Sequence, residues 1–219
     1  MRRVSNHEAP IRAFILRDAA KTPLLRMRVW HSPIAMPASD PKTPADILAF
    51  WREAGRDRWY DKNDVFDAEV RRRYLDLWHE AAAGKLSAWE ASDDGALALT
   101  IVLDQFPRNM FRGDPRTYAT DPLARAVAGR AIDRGADARI DPVLVEFLYM
   151  PFMHSEVLAD QLRCVELFRH TGNAQNLGYA ERHADIVRRF GRFPHRNRLL
   201  GRTTTEDEQA FLDGGGFSG

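Results

Sequence analysis

Apolar positions recur at helical spacing almost without a break from Thr43 onward. Thr43 and Pro44 carry the N-cap and first-turn chemistry of a helix start, and Ile47, Leu48, Phe50 and Trp51 share one face, predicting a helix to about Arg56. Phe66, Val70, Tyr74, Leu77 and Trp78 line a second helix from Asp64 to Ala83, with Gly84 suited to the left-handed position after it. Residues 96–103 are apolar nearly all round, which predicts a buried central helix over Asp94–Asp104 that Pro107 stops. Further helices are expected from Asp121-Pro122 to Gly135, from Asp141-Pro142 to just before Pro151, from Ser155 to about His170 and from Leu177 to Phe190. A capping-box pattern at Thr205–Glu208 opens a last short one through Leu212. No sustained period-2 alternation or hairpin signal occurs. The fold class is therefore all-α, about eight helices in stacked αα-hairpins, an irregular tetratricopeptide-like superhelix without a strict repeat. Residues 43–213 form the single expected domain, and 214–219, with Gly214-Gly215-Gly216, read as a flexible end.

Several polar residues interrupt these apolar faces. Asp104 falls on the stripe of Leu97 and Ile101 at the C-terminal end of the central helix, where the helix dipole is already negative, so its carboxylate needs a cation nearby. Arg108 and Arg112 are the local choices. His183 lies among Ile186, Val187, Phe190 and Tyr179, and Gln161 sits at the centre of the arc of Leu158, Leu162, Val165 and Phe168. His154 and Glu156 end the apolar run 147–153, and His154 directly precedes the expected Ser155 cap, where helix-terminal N–H groups assist an anion and depress an imidazole pKa.

Composition adds bounds rather than a function. Apolar content of 44% and charged content of 29% describe an ordinary globular chain, and a formal net charge of +1 argues against a globally basic nucleic-acid binder. Arginine outnumbers lysine 28 to 4, a bias of the kind a GC-rich genome imposes, so arginine-rich stretches are discounted accordingly. One cysteine, Cys164, leaves no internal disulfide and fits a reducing, cytoplasmic compartment. No apolar run approaches the roughly 20 residues of a membrane span. Residues 1–42 are rich in Arg and Pro; they read as a mobile tail, a targeting peptide without a clear cleavage site, or an overlong start preceding Met27 or Met36.

Two stretches echo one another: Phe106-Pro107-Arg108-Asn109 and Phe193-Pro194-His195-Arg196-Asn197. Between Asp185 and Glu206 there are six arginines and no acid. The expectation is that these two segments meet around one polar site. In it, Arg108, Asn109, Gln161, Arg192, His195, Arg196, Asn197 and Arg202 would hold an anionic small molecule, with His154 or His183 as acid or base oriented by Glu156 or Asp104. Each residue also has a plain structural reading: a buried ion pair, a bonded core histidine, a solvated arginine face. No zinc spacing, P-loop, Rossmann or serine-hydrolase motif occurs, so no metal and no cofactor is expected. Two other functions compete: a peptide-binding helical scaffold, and RNA binding by the arginine loop with Phe190 and Phe193 stacking on bases.

The motifs themselves form a recognisable set. Phe50-Trp51, Trp59-Tyr60, Leu103-Asp104-Gln105-Phe106-Pro107-Arg108-Asn109, Pro151-Phe152-Met153-His154-Ser155-Glu156, Gln161, His183, Phe190-Gly191-Arg192-Phe193-Pro194-His195-Arg196-Asn197 and Leu200-Gly201-Arg202 resemble the bacterial domain-of-unknown-function family 924 over about residues 44–213. The resemblance implies an all-α, tetratricopeptide-like fold and no established activity. Tyr60 stands where phenylalanine is expected.

Overall fold

The computed structural model describes residues 42–217, so the tail expected over 1–42 lies, apart from Lys42, outside the described residues. Eight α-helices occur among them, with no strand. Helix α1 (Pro44–Tyr60) opens on a complete capping box between Thr43 and Asp46, and kinks at Gly55, whose φ of 71° is left-handed. That kink falls where the expected end at Arg56 lay, and one more helical turn follows it. Asn63 caps α2 (Asp64–Ala82) by accepting the Phe66 N–H at 3.0 Å.

The central helix is the first point of difference. Helix α3 (Asp93–Met110) runs straight through Pro107 instead of ending at Asp104. Proline in a helix removes the N–H that would reach the carbonyl four residues back, here that of Leu103. The Thr120 hydroxyl takes that carbonyl instead at 2.5 Å, and the Trp78 indole N–H donates in turn to the Thr120 oxygen at 3.1 Å. A side chain 17 residues downstream thus replaces the missing donor. Nearly all of α3 is buried, and it packs against α1, α2, α4 (Asp121–Asp133) and α5 (Glu146–Met153). Helices α1, α2, α4 and α5 are therefore gathered around one rod.

Two further expected starts move. Asp141-Pro142 opens no helix: the Asp141 carboxylate accepts the Val143 N–H at 2.9 Å and the Arg52 fork, and α5 begins at Glu146 and passes through Pro151. Ser155 is not an N-cap either, because α6 (Leu158–Thr171) starts three residues later and the Ser155 hydroxyl instead donates to Asp160 at 2.6 Å. His154 is consequently the C-cap of α5 rather than the entrance to a helix. Helix α7 (Ala174–Phe190) pairs with α6 and ends at Gly191, φ 70°, and α8 (Glu206–Asp213) opens on the expected Thr205–Glu208 box. On α7, Tyr179 proves exposed while His183, Ile186 and Val187 are buried.

The Thr120 substitution for a helical N–H has a measurable consequence. Thr120→Val leaves the Leu103 carbonyl and the Trp78 indole N–H unpaired, and should cost about 1–3 kcal/mol in urea unfolding. In a Pro107→Ala background, where residue 107 supplies its own N–H, the same substitution should cost measurably less. Equal costs in the two backgrounds would refute this account of the proline.

Candidate functional site

The site begins at the buried end of α3. Asp104 is wholly buried, and its two carboxylate oxygens accept from the Gln105 amide at 2.6 Å and from His154 Nδ1 at 2.9 Å. Arg108, one turn on, lies 3.3 Å from the same carboxylate and donates to the Asp104 carbonyl at 2.5 Å. Burial alone would raise the Asp104 pKa, but the Arg108 charge, His154 and Gln105 outweigh it and hold the carboxyl low and ionised. An ionised carboxylate only accepts, so His154 Nδ1 carries the hydrogen. Burial, then the Arg108 charge, depresses the His154 pKa against the pull of Asp104, so the ring is neutral and Nε2 is a bare lone pair. The depression was expected from a helix N-terminus; its actual cause is desolvation beside a guanidinium.

A second carboxylate links this pair to the distant arginine loop. Arg108 grips both oxygens of Asp121, the first residue of α4, at 3.0 and 3.1 Å. Arg196 leans on the same carboxylate at 3.7 Å. Asp121 is free for this because the first turn of α4 is not capped by it, and Thr120 is committed to Leu103. The guanidinium of Arg196 lies between the rings of Tyr118 and Phe193, 4.4 and 4.5 Å from their centroids. It is 7% exposed, its Nε is buried without a partner, and among the described residues its side chain makes no hydrogen bond. Burial and the nearby Arg108 charge push its pKa down, opposed by Asp121.

Two more imidazoles join through Phe193. The His183 ring stands edge-on to Phe193 at 5.5 Å and to Phe217 at 4.5 Å, and its Nδ1–H donates to the Tyr179 carbonyl at 2.8 Å. A carbonyl cannot donate, so Nε2 of His183 is also a bare acceptor. Burial outweighs the Tyr179 hydrogen bond and, with the Arg196 charge, brings the pKa to about 4. His195 packs against Phe193 at 5.7 Å and Phe217 at 5.2 Å, with Nδ1 buried and unpartnered, and burial followed by the Arg196 charge brings it also to about 4. Phe217 reaches these rings because Gly216, whose N–H donates to the Phe211 carbonyl, leaves no room for a Cβ.

Asp104, Arg108, His154, His183, His195 and Arg196 are thus brought together. The other six expected residues are spent elsewhere. Glu156 is gripped by Arg202 at 2.8 and 2.7 Å and accepts the Phe193 N–H at 2.9 Å. Arg192 forks onto Glu208 at 2.6 and 2.8 Å, and Asn197 donates to the same glutamate at 3.1 Å. Gln161 ties the α5–α6 turn by donating to the Met153 and Ser155 carbonyls at 2.6 and 2.5 Å. Asn109 points away, to Asp67 at 2.7 Å. The residues overlooked in the sequence are Asp121, which resembles a helix cap, and the aromatic covers Tyr118 and Phe217. Of the two aromatic residues that the RNA reading named, Phe193 is fully buried and Phe190 partly so.

These features define an all-helical protein with a buried arginine–aspartate–histidine constellation where the ends of α3 and α5 meet the loop after α7. The chain belongs to the family described as bacterial protein of unknown function (DUF924), whose model matches residues 47–216. It is similar to the solved structure of a protein of unknown function, ATU0120, from Agrobacterium tumefaciens, at 47% identity over 78% of this chain and 97% of that one, with a TM-score of 0.76. No curated protein matches the chain. No helix among the described residues is long and apolar enough to cross a membrane, and no group of three His, Cys, Asp or Glu side chains there is arranged to hold a metal ion.

The depressed histidines set an acid limit on stability. His183 and His195 stay neutral in the fold down to about pH 4, whereas unfolded histidine takes up a proton near 6.5. The unfolded chain therefore binds more protons in that window, so the stability is present above about pH 6.5 and is lost as pH falls toward 4. The slope per group is at most about 1.4 kcal/mol per pH unit, less for the more exposed His195. Thermal unfolding should show a lower Tm at about pH 4.5 than at about pH 7.5, and His183→Phe should shrink that drop. A variant with an unchanged pH dependence would show that the ring titrates normally.

Proposed function

We propose that this protein binds a small anionic molecule at Arg196, beside the imidazoles of His154 and His183. One observation carries the reading: a guanidinium more than nine-tenths buried, with Nε buried without a partner, Asp121 no nearer than 3.7 Å, and no hydrogen bond to any described residue. Leaving such donors unpaired is costly, and an anion's oxygens are the acceptors that match their fork. Both terminal nitrogens of Arg108 are engaged by Asp121 and Asp104, so it positions Asp121 and Asp104 and is not the arginine that holds the ligand. His154, oriented by Asp104, then supplies an acceptor nitrogen suited to general-base work. Glu156, offered by the sequence as a second orienting carboxylate, serves as an anchor for the loop.

The finer parts of the reading follow the same line. Cys164, the only cysteine of the chain, is buried and unpaired, which supports a reducing cytoplasmic setting. A peptide-scaffold reading keeps one point in its favour: a groove of about 1040 Å³ along α2, lined by Arg71, Arg72, Leu75, Leu86 and Trp89. Lys42 and Arg73 line it as well, so with Arg71 and Arg72 its cations outnumber Asp76 and Glu80, and an acidic peptide suits it better than a basic one. If that reading held, Trp89 fluorescence would respond to an acidic amphipathic peptide and not to a basic one.

Arg196→Met separates a ligand-binding guanidinium from a structural one. If Arg196 awaits an anion, the substitution removes a buried guanidinium that makes no hydrogen bond to the described residues and leaves Asp121 still gripped by Arg108, so the ligand-free protein should be as stable or up to about 2 kcal/mol more stable. It should also abolish the rise in Tm that millimolar acetate or phosphate produces in the natural protein over a chloride control. A structural Arg196 would instead make the variant less stable by about 3–5 kcal/mol. That loss, or an undiminished anion response, would sink the proposal.

A further inference from the structure

We propose that residues 214–217 form an acid-released latch: a run of three glycines lays the Phe217 ring over His183 and His195, and protonation of those two imidazoles lifts it off. No ligand enters this inference, so it stands apart from the anion reading. The chain turns back on itself directly after α8. The Gly216 N–H donates to the Phe211 carbonyl at 2.9 Å and the Gly215 N–H to that of Leu212 at 3.2 Å, with Gly215 left-handed at φ 77°. The Phe217 ring then lies 4.5 Å from the His183 ring and 5.2 Å from that of His195. It closes a small apolar cluster of Ile186, Val187 and Phe193 that is separate from the main core.

The hold is weak by construction. Glycine loses more conformational freedom on ordering than any other residue. Three in a row, two of them exposed, are set here against two backbone hydrogen bonds and one half-buried ring. Such a segment belongs at the low end of local opening free energies. The rings beneath it are what acid changes. Under the latch, burial and neighbouring guanidiniums keep both imidazoles neutral down to about pH 4. The charged groups facing His183 are Arg182 on its own helix and Arg196 from the loop, with neutral His154 nearby. Those facing His195 are Arg196, Arg108 and Glu156, and Arg202 already grips that glutamate. An imidazolium formed there meets two like charges and no uncommitted acid, whereas in water it is an ordinary cation. A released ring titrates nearer 6.5, so the closed form persists above about pH 6.5 and yields as pH falls toward 4. Each uncovered ring favours release by at most about tenfold per pH unit in that window.

NMR of the full chain tests this. In the natural protein the NOE between the Phe217 and His183 rings should be present at about pH 7.5 and lost by about pH 5. The exchange protection factor of the Gly216 amide should fall at least about tenfold over the same range, while the amides of α3 stay protected. Phe217→Ala should raise the titration midpoints of His183 and His195 toward 6.5. Gly216→Ala keeps the ring but sets a Cβ 2.4 Å from the Phe211 carbonyl oxygen and 2.7 Å from its ring, so it should raise both midpoints as well. Unchanged midpoints in either variant overturn the latch. So does a Phe217 contact that persists at about pH 5, as a cation–π hold on the imidazolium would give. Loss of α3 protection together with that of Gly216 would be acid unfolding of the whole chain, and would overturn it too.

Discussion

The arrangement depends on one carboxylate serving two arginines. Asp121 is 6% exposed and accepts both arms of Arg108, while Arg196 comes no closer than 3.7 Å to the oxygen that Arg108 already uses. Two guanidiniums in a dry interior repel each other strongly, and a shared counter-charge is what allows them to be neighbours. Asp121 can play this part because Thr120, the residue before it, is engaged by a proline's abandoned carbonyl. A defect in the central helix therefore places the acid that organises the site. The charges balance, but the hydrogen bonds do not: Arg108 donates three, and Arg196 donates none to the described residues.

Around this centre, other arginine–carboxylate forks fix the loop rather than line a cavity. Arg202 on Glu156 and the Phe193 N–H on the same glutamate fasten residues 193–202 to the α5–α6 turn. Arg192 and Asn197 on Glu208 fasten them to α8, whose own capping box uses that glutamate as well. Exposed ion pairs of this kind contribute little each, yet Glu208 is 2% exposed and satisfies three partners at once. What the clamps provide is position. With Arg192, Asn197 and Arg202 held, Tyr118 and Phe193 keep their ring centroids 4.4 and 4.5 Å from the Arg196 guanidinium. The arginine bias of the chain, read as a mark of genome composition, conceals a set of individually matched pairs.

How much of this was legible follows from where each partner sits in the chain. Thr43, Thr205 and the glycine after α7 announce their helix ends, because capping is a matter of three or four residues. Asp104 and Arg108, one turn apart on a buried helix end, were legible as partners for the same reason. Pro107 and Ser155 misled because their local rule was answered from outside: Pro107 by Thr120, and Ser155 by Asp160 drawing its hydroxyl away from the helix start. Among Arg192, Arg196 and Arg202 the sequence holds no sign of which one lacks an acceptor. Their partners, Glu208 and Glu156, lie 16 and 46 residues away, and only the fold brings them. That is why the meeting of the two segments was legible and the one arginine without a hydrogen bond to the described residues was not.

An unpartnered polar atom does not by itself make a site, and this protein offers the contrast. Trp51 Nε1 and the Tyr74 hydroxyl are also buried without partners, within the aromatic cluster of Phe50, Phe66, Phe106 and Phe147. Each is a single neutral group, and ring faces can receive its hydrogen weakly. Desolvating one neutral donor costs about 1–3 kcal/mol, which a core of this size absorbs. Arg196 differs in carrying a full charge, 3.7 Å from an Asp121 carboxylate that Arg108 already grips. A buried charged donor costs far more to leave without a hydrogen bond than a neutral one. Of the buried groups without partners, Arg196 is therefore the one whose isolation the core does not simply absorb.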